Sequence, residues 1–116
     1  MKTVLVADDE PTLLSLIADL LADEGYAVVT ARDGREALDL ASEEPPDLIL
    51  LDVMMPRLDG REAVRLMRDR PDLRQVPVAM MSAGIRADQG PSGVALLSKP
   101  FDLDRLLSLV ARLTGG

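Results

Sequence analysis

The sequence predicts an α/β fold: a doubly wound, five-stranded parallel sheet with helices on both faces. Two observations carry that prediction. Five short apolar runs recur along 116 residues, and segments whose apolar residues repeat at helical spacing separate them. A third sharpens it, because most of the runs are continuous rather than alternating, as expected of strands covered on both sides. Alternating strands and helices then imply right-handed crossovers that place helices on each face.

The first apolar run covers residues 4–7. A helix is expected over 11–24, with Leu13, Leu14, Ile17, Leu20 and Leu21 on one face, Pro11 in its first turn and Gly25 as its stop. The second run, 26–30, precedes a helix over 35–43 that Pro45 and Pro46 end. The third run, 48–51, is the most apolar. A helix over 61–70 follows it, presents Val64, Leu66 and Met67, and ends before Pro71. The fourth run covers 76–81 and the fifth 94–97, and a last helix over 103–113 carries Leu103, Leu106, Leu107 and Val110 at helical spacing. The exception is the stretch 83–93, where Gly84, Gly90, Pro91 and Gly93 leave room for at most a short helix.

The length suits one domain, residues 1–116, with a single core. Apolar residues make up 47% and charged ones 28%, the balance of a folded globular chain. A formal charge of −7 argues against direct nucleic acid binding and against anionic membrane surfaces. Without Cys there is no disulfide and no thiolate chemistry; without His there is no imidazole base and no phosphohistidine. Chemistry is left to carboxylates, hydroxyls, Lys and Arg. The N-terminal MKTVLVADDE has the apolar length of neither a signal peptide nor a membrane span, so a cytoplasmic location is expected.

Ligands of doubly wound sheets sit beyond the carboxyl ends of the strands. Those ends carry Asp8 and Asp9 after the first run, Asp52 after the third, Ser82 after the fourth, and Ser98 with Lys99 after the fifth. Each residue alone reads as a turn former or helix cap. Together they converge on one crevice. Two unit charges ~4 Å apart repel by roughly 4 kcal/mol at an effective dielectric near 20, so a purely structural site would avoid three carboxylates. A hard divalent cation reverses that sign, and an all-oxygen site suits Mg²⁺, which also binds phosphate oxygens. Lys99 can meet a phosphoryl oxygen and the Ser82 hydroxyl can donate to another. Asp52, ending the most apolar strand, is the preferred nucleophile for an aspartyl phosphate.

The motifs VLVADDEP, LILLDVMMPRLDG, VAMMSA and LLSKPF, in this order over nearly the whole chain, resemble the signatures of the response regulator receiver family of two-component signalling. The resemblance implies a flavodoxin-like (βα)5 fold with strand order 2-1-3-4-5, here with a short or missing fourth helix. It implies that Asp52 takes a phosphoryl group from a histidine kinase or a histidine phosphotransfer protein. Asp9, Asp52 and the backbone carbonyl of Met54 would ligate Mg²⁺, with Asp8 acting through metal-bound water. Ser82 would be the switch hydroxyl, Lys99 the phosphoryl contact, and the Lys99-Pro100 bond cis. The chain would act as a stand-alone signalling switch or relay on a downstream protein, with slow self-dephosphorylation tuned at Met54 and Gly84.

Two departures bear on output. Leu96 stands three residues before Lys99, where many receivers carry an aromatic that turns inward when the switch hydroxyl moves. The stretch from Ser82 to Lys99 is also shorter than the family usually shows. Both favour an alternative, a degenerate receiver that binds proteins without being phosphorylated. A Mg²⁺ phosphatase would need a second acid two residues after its nucleophile, and that position is Met54. A flavodoxin-like cofactor binder would need a phosphate loop rich in Gly or Ser/Thr after the first strand, which is absent.

Overall fold

A computed structural model of the chain describes residues 1–83, 91 and 93–115. Among these residues the order is β1 (Thr3–Ala7), α1 (Pro11–Asp23), β2 (Ala27–Ala31), α2 (Gly34–Glu43), β3 (Leu48–Asp52), α3 (Gly60–Arg68), β4 (Val78–Ser82), β5 (Ala95–Ser98) and α4 (Leu103–Thr114). All strand pairings are parallel, and the sheet runs β2-β1-β3-β4-β5. The expected doubly wound sheet is therefore present. Most of the stretch 83–93, with the question of a short or missing helix there, lies outside the described residues, as does Gly84.

Side-chain alternation along the strands splits the core in two. Leu5, Ala7, Ile49, Leu51 and Met80 face α2 and α3, packing on Ala37, Ala41, Ala63, Val64 and Met67. Val4, Val6, Leu48, Leu50, Ala79 and Met81 face α1 and α4, packing on Leu14, Ile17, Leu21, Leu106 and Val110. The expectation of burial on both faces holds for β1, β3 and β4 beyond their first residues. It fails for β2, an edge strand whose Val29 is 38% exposed.

Helix ends follow local chemistry. Pro11 occupies the first turn of α1, and Gly25, at φ 95°, carries the chain out of it. Asp33 accepts a hydrogen bond from the Glu36 N–H at 2.8 Å while Glu36 accepts one from the Arg32 N–H at 3.2 Å, bracketing the start of α2. Asp59 caps α3 and Asp102 caps α4 through the N–H groups of Glu62 and Arg105. Such caps contribute about 1 kcal/mol each.

Boundaries shift where backbone bonding overrides the apolar pattern. Tyr26 donates its N–H back to the Leu21 carbonyl, so β2 starts one residue later than its apolar run. Val76 donates to Leu73, and Pro77 has no N–H, so β4 starts at Val78. The turn between α3 and β4 is anchored by Leu73, only 2% exposed, which the helical pattern did not single out. Among the described residues no helix is long and apolar enough to cross a membrane.

Candidate functional site

Strand register brings the acidic residues together. Ala7 pairs with Leu51 across β1 and β3, so Asp8, one step beyond, lies beside Asp52. These two strands flank the point where the chain reverses direction across the sheet, since β1 leads outward to β2 and the next crossover returns to β3. Asp52 and Ser82 are the last residues of their strands rather than loop residues: Asp52 is in register with Met81, and Ser82 with Ser98. The ladder continues through the Val53 N–H to Met81 and the Lys99 N–H to Ser82. Backbone pairing thus fixes where these side chains start.

Asp8, Asp9 and Asp52 each offer a carboxylate oxygen within 4.8 Å of the others, a group that could hold a metal ion. Asp8 is fully buried and Asp52 is 6% exposed, whereas Asp9 faces solvent. Asp8 uses both oxygens: Oδ1 accepts from the Glu10 N–H at 2.9 Å, and Oδ2 accepts from Lys99 Nζ at 2.9 Å. The same ammonium lies 3.4 Å from Asp52 Oδ1. Lys99 therefore bridges two of the three carboxylates. Met54 follows in the loop after β3 with its side chain turned to solvent, and Ser82 is buried at the end of β4. The Lys99-Pro100 peptide is cis.

The charges leave a mark on titration. Burial, then the neighbouring Asp8 charge, holds the Asp52 carboxyl above its ordinary range, with Lys99 pulling the other way and Asp9 adding to the rise. Burial depresses the Lys99 ammonium, but its hydrogen bond to Asp8 and the charges of Asp8 and Asp52 outweigh that and raise it.

A match to the response regulator receiver domain model spans residues 4–111. The chain belongs to the response regulator receiver family. This receiver is 35% identical over 120 residues to the polar-differentiation response regulator DivK of Brucella anthropi, covering 98% of this chain and 97% of that protein. Among solved structures it superimposes on the chemotaxis protein CheY4 of Vibrio cholerae with a TM-score of 0.90 and 33% identity, over 97% and 98% of the two chains. It also matches the receiver domain of the sensor histidine kinase PA1611 of Pseudomonas aeruginosa, with a TM-score of 0.88 and 30% identity, over 99% and 98% of the chains. That structure has a magnesium ion coordinated in the active site cleft.

Every residue singled out at the strand ends of the receiver thus lies at one edge of its sheet. Leu96, at the position discussed for an aromatic, is partly buried and packs against the core beneath α2 and α3. Phe101 packs on the opposite layer beside α4. Sequence reasoning passed over Gly34, the first residue of α2, whereas Asp59-Gly60 reads as a turn or helix start, and Gly60 is indeed the first residue of α3. Glycine is a poor helix former, so its place directly after a capping Asp in both helices was the available signal.

One stability prediction follows from Asp52. A folded-state pKa above the unfolded value of about 3.9 means that folding favours the protonated form. That contribution is full at pH values below the unfolded pKa and is lost as pH rises through the folded one. Asp52→Asn, which stays neutral, is therefore expected to melt above the metal-free wild type at pH 7. The gap should close as the pH falls below 4. Calorimetric scans across that range check it.

Proposed function

We propose that this receiver is a phosphoacceptor switch or relay that takes a phosphoryl group onto Asp52 from a histidine kinase or a histidine phosphotransfer protein, with Mg²⁺ as cofactor. The single observation that carries this reading is the bridged carboxylate trio. Three acids converge on one point and, among the described residues, Lys99 is the cation paired with them, an arrangement that costs free energy unless a cation and an anionic group complete it.

In this reading Asp9, Asp52 and the Met54 carbonyl would hold the metal, and Asp8 would assist through water. Mg²⁺ held there would supply positive charge to offset the negative charge on the phosphoryl oxygens. An Asp52 carboxylate oxygen attacks phosphorus, the bond to the donor's imidazole nitrogen breaks, and that nitrogen leaves with the electron pair. Lys99 turns from Asp8 and Asp52 to a phosphoryl oxygen, and the Ser82 hydroxyl donates to another. An apolar hollow of about 340 Å³ adjoins Lys99, lined by Leu13, Leu16, Pro100, Phe101 and Leu103, and its exposed Leu16 and Leu103 support docking of a partner helix beside the acceptor. Slow hydrolysis of the acyl phosphate, tuned at Met54, resets the switch.

Acetyl phosphate with Mg²⁺ tests the proposal. Intact mass should rise by one phosphoryl group in the wild type, remain unchanged with chelator, and remain unchanged in Asp52→Asn. A wild type that gains nothing under any condition points instead to a phosphorylation-independent binding module, the reading that Leu96 favours.

A further inference from the structure

The loop of residues 53–59, between Asp52 and α3, is gripped from two sides. At its own end, the Gly60 N–H donates to the Val53 carbonyl at 2.9 Å, and a Cβ on Gly60 would stand 2.6 Å from the Asp52 carbonyl oxygen. The second grip comes from a different helix. A Cβ on Gly34 would run into the Leu58 carbonyl oxygen, would stand 2.7 Å from the carbonyl carbon, and would lie 3.1 Å from the Leu58 Cβ. Next to it, Asp33 pairs with Arg57 at 3.4 Å, and Arg57 holds φ 65°, a left-handed conformation that a non-glycine residue adopts at a cost. Leu58 also donates its N–H to the Pro56 carbonyl at 2.7 Å, which tightens the turn.

From this we propose that Gly34 is a positioning residue for the metal site: by letting the N-terminus of α2 touch the backbone at Leu58, it holds the loop that carries Met54 against Asp52. The inference rests on the reading of Asp52 and Met54 as metal-binding residues. Its physical basis is which side gives way. Helix α2 is locked into the core through Ala37, Leu38 and Ala41, all buried, whereas the loop buries only Val53 and Met55 in that core and leaves Met54, Pro56, Arg57 and Asp59 exposed. A methyl group added at Gly34 therefore displaces the loop, and with it the carbonyl two residues beyond Asp52. Supporting groups of this kind change metal affinity by about 10–100-fold.

The test is the Mg²⁺ dissociation constant, measured by calorimetric titration of the wild type, Gly34→Ala and Gly25→Ala. Gly25 is the control, because its φ of 95° strains any replacement while nothing lies within 4 Å of its Cβ position. Gly34→Ala is expected to weaken Mg²⁺ about tenfold, with Gly25→Ala staying within threefold of the wild type. A change under threefold in Gly34→Ala, or an equal loss in both variants, overturns the inference while leaving the metal site standing. A wild type that binds no Mg²⁺ overturns both. Should Gly34→Ala not fold, as read by circular dichroism, the wild type decides through reciprocity of coupling. Adding Mg²⁺ should then move the Gly34 amide resonance together with those of residues 53–59 and leave Gly25 in place, and a fixed Gly34 resonance overturns the proposal.

Discussion

Lys99→Met should unfold far more easily than the wild type in the absence of metal and should recover much of the loss in millimolar Mg²⁺. Lys99 Nζ sits 2.9 Å from Asp8 and 3.4 Å from Asp52. Asp8 is fully buried, so removing its cation leaves a carboxylate with no water to turn to. Breaking a buried pair from one side costs roughly 3–5 kcal/mol, and with the lysine side chain 20% exposed the lower end of that range, about 3 kcal/mol, is expected. Methionine keeps the unbranched apolar stem, so the loss isolates charge rather than volume. A cation entering the trio replaces the missing charge, and the stabilisation by Mg²⁺ should accordingly be larger in the variant than in the wild type. Phosphoryl uptake should nevertheless fall by at least about tenfold even with Mg²⁺ present, since one charge-assisted contact to the phosphoryl oxygens is gone. Urea titrations with and without Mg²⁺, together with time courses of mass gain, check both halves. Unchanged metal-free stability would show that the lysine bridge contributes nothing to the fold.

Leu50→Ala and Val29→Thr should separate by more than 2 kcal/mol, although the two residues occupy similar apolar runs. Leu50 lies mid-strand in β3 at the centre of the sheet, is fully buried, and packs in the layer beneath α1 and α4. Truncating a leucine there costs about 3–4 kcal/mol, the transfer term plus the cavity that the flanking strands cannot close. Val29 lies in the edge strand and is 38% exposed, so a hydroxyl in place of a methyl reaches water and costs about 0.5 kcal/mol or less. Denaturant midpoints at constant slope measure the difference. Similar costs at the two sites would mean that the sheet order is not β2-β1-β3-β4-β5.

That pair also marks how far the sequence could be read. Continuous apolar runs separated by helical spacing specify strands and helices because each pattern can bury its apolar groups in only one kind of element. The residues at the strand ends were legible for a related reason: in a parallel sheet every strand points the same way, so residues that follow strands in the sequence meet at one edge in space. Asp8, Asp9, Asp52, Ser82 and Lys99 are accordingly found where their order in the chain implies. The boundaries were less legible. Val76 reads as strand from its apolar neighbours, yet its N–H belongs to a turn closed on Leu73. Tyr26 reads likewise and instead completes the end of α1.

The sequence by itself determined the fold class, the family signatures and the set of residues able to do chemistry, since these depend on local periodicity and on the order of side chains along the chain. Only the tertiary structure decided which strands are central and which lie at the edge. It alone also decided that Lys99 bridges Asp8 and Asp52, and that the start of α2 bears on the loop after Asp52. These are contacts between segments distant along the chain, set by sheet order, register and steric fit. Gly34 illustrates the limit: glycine at a helix start reads as a weak helix former until the Leu58 carbonyl is seen to occupy the space that a side chain would need.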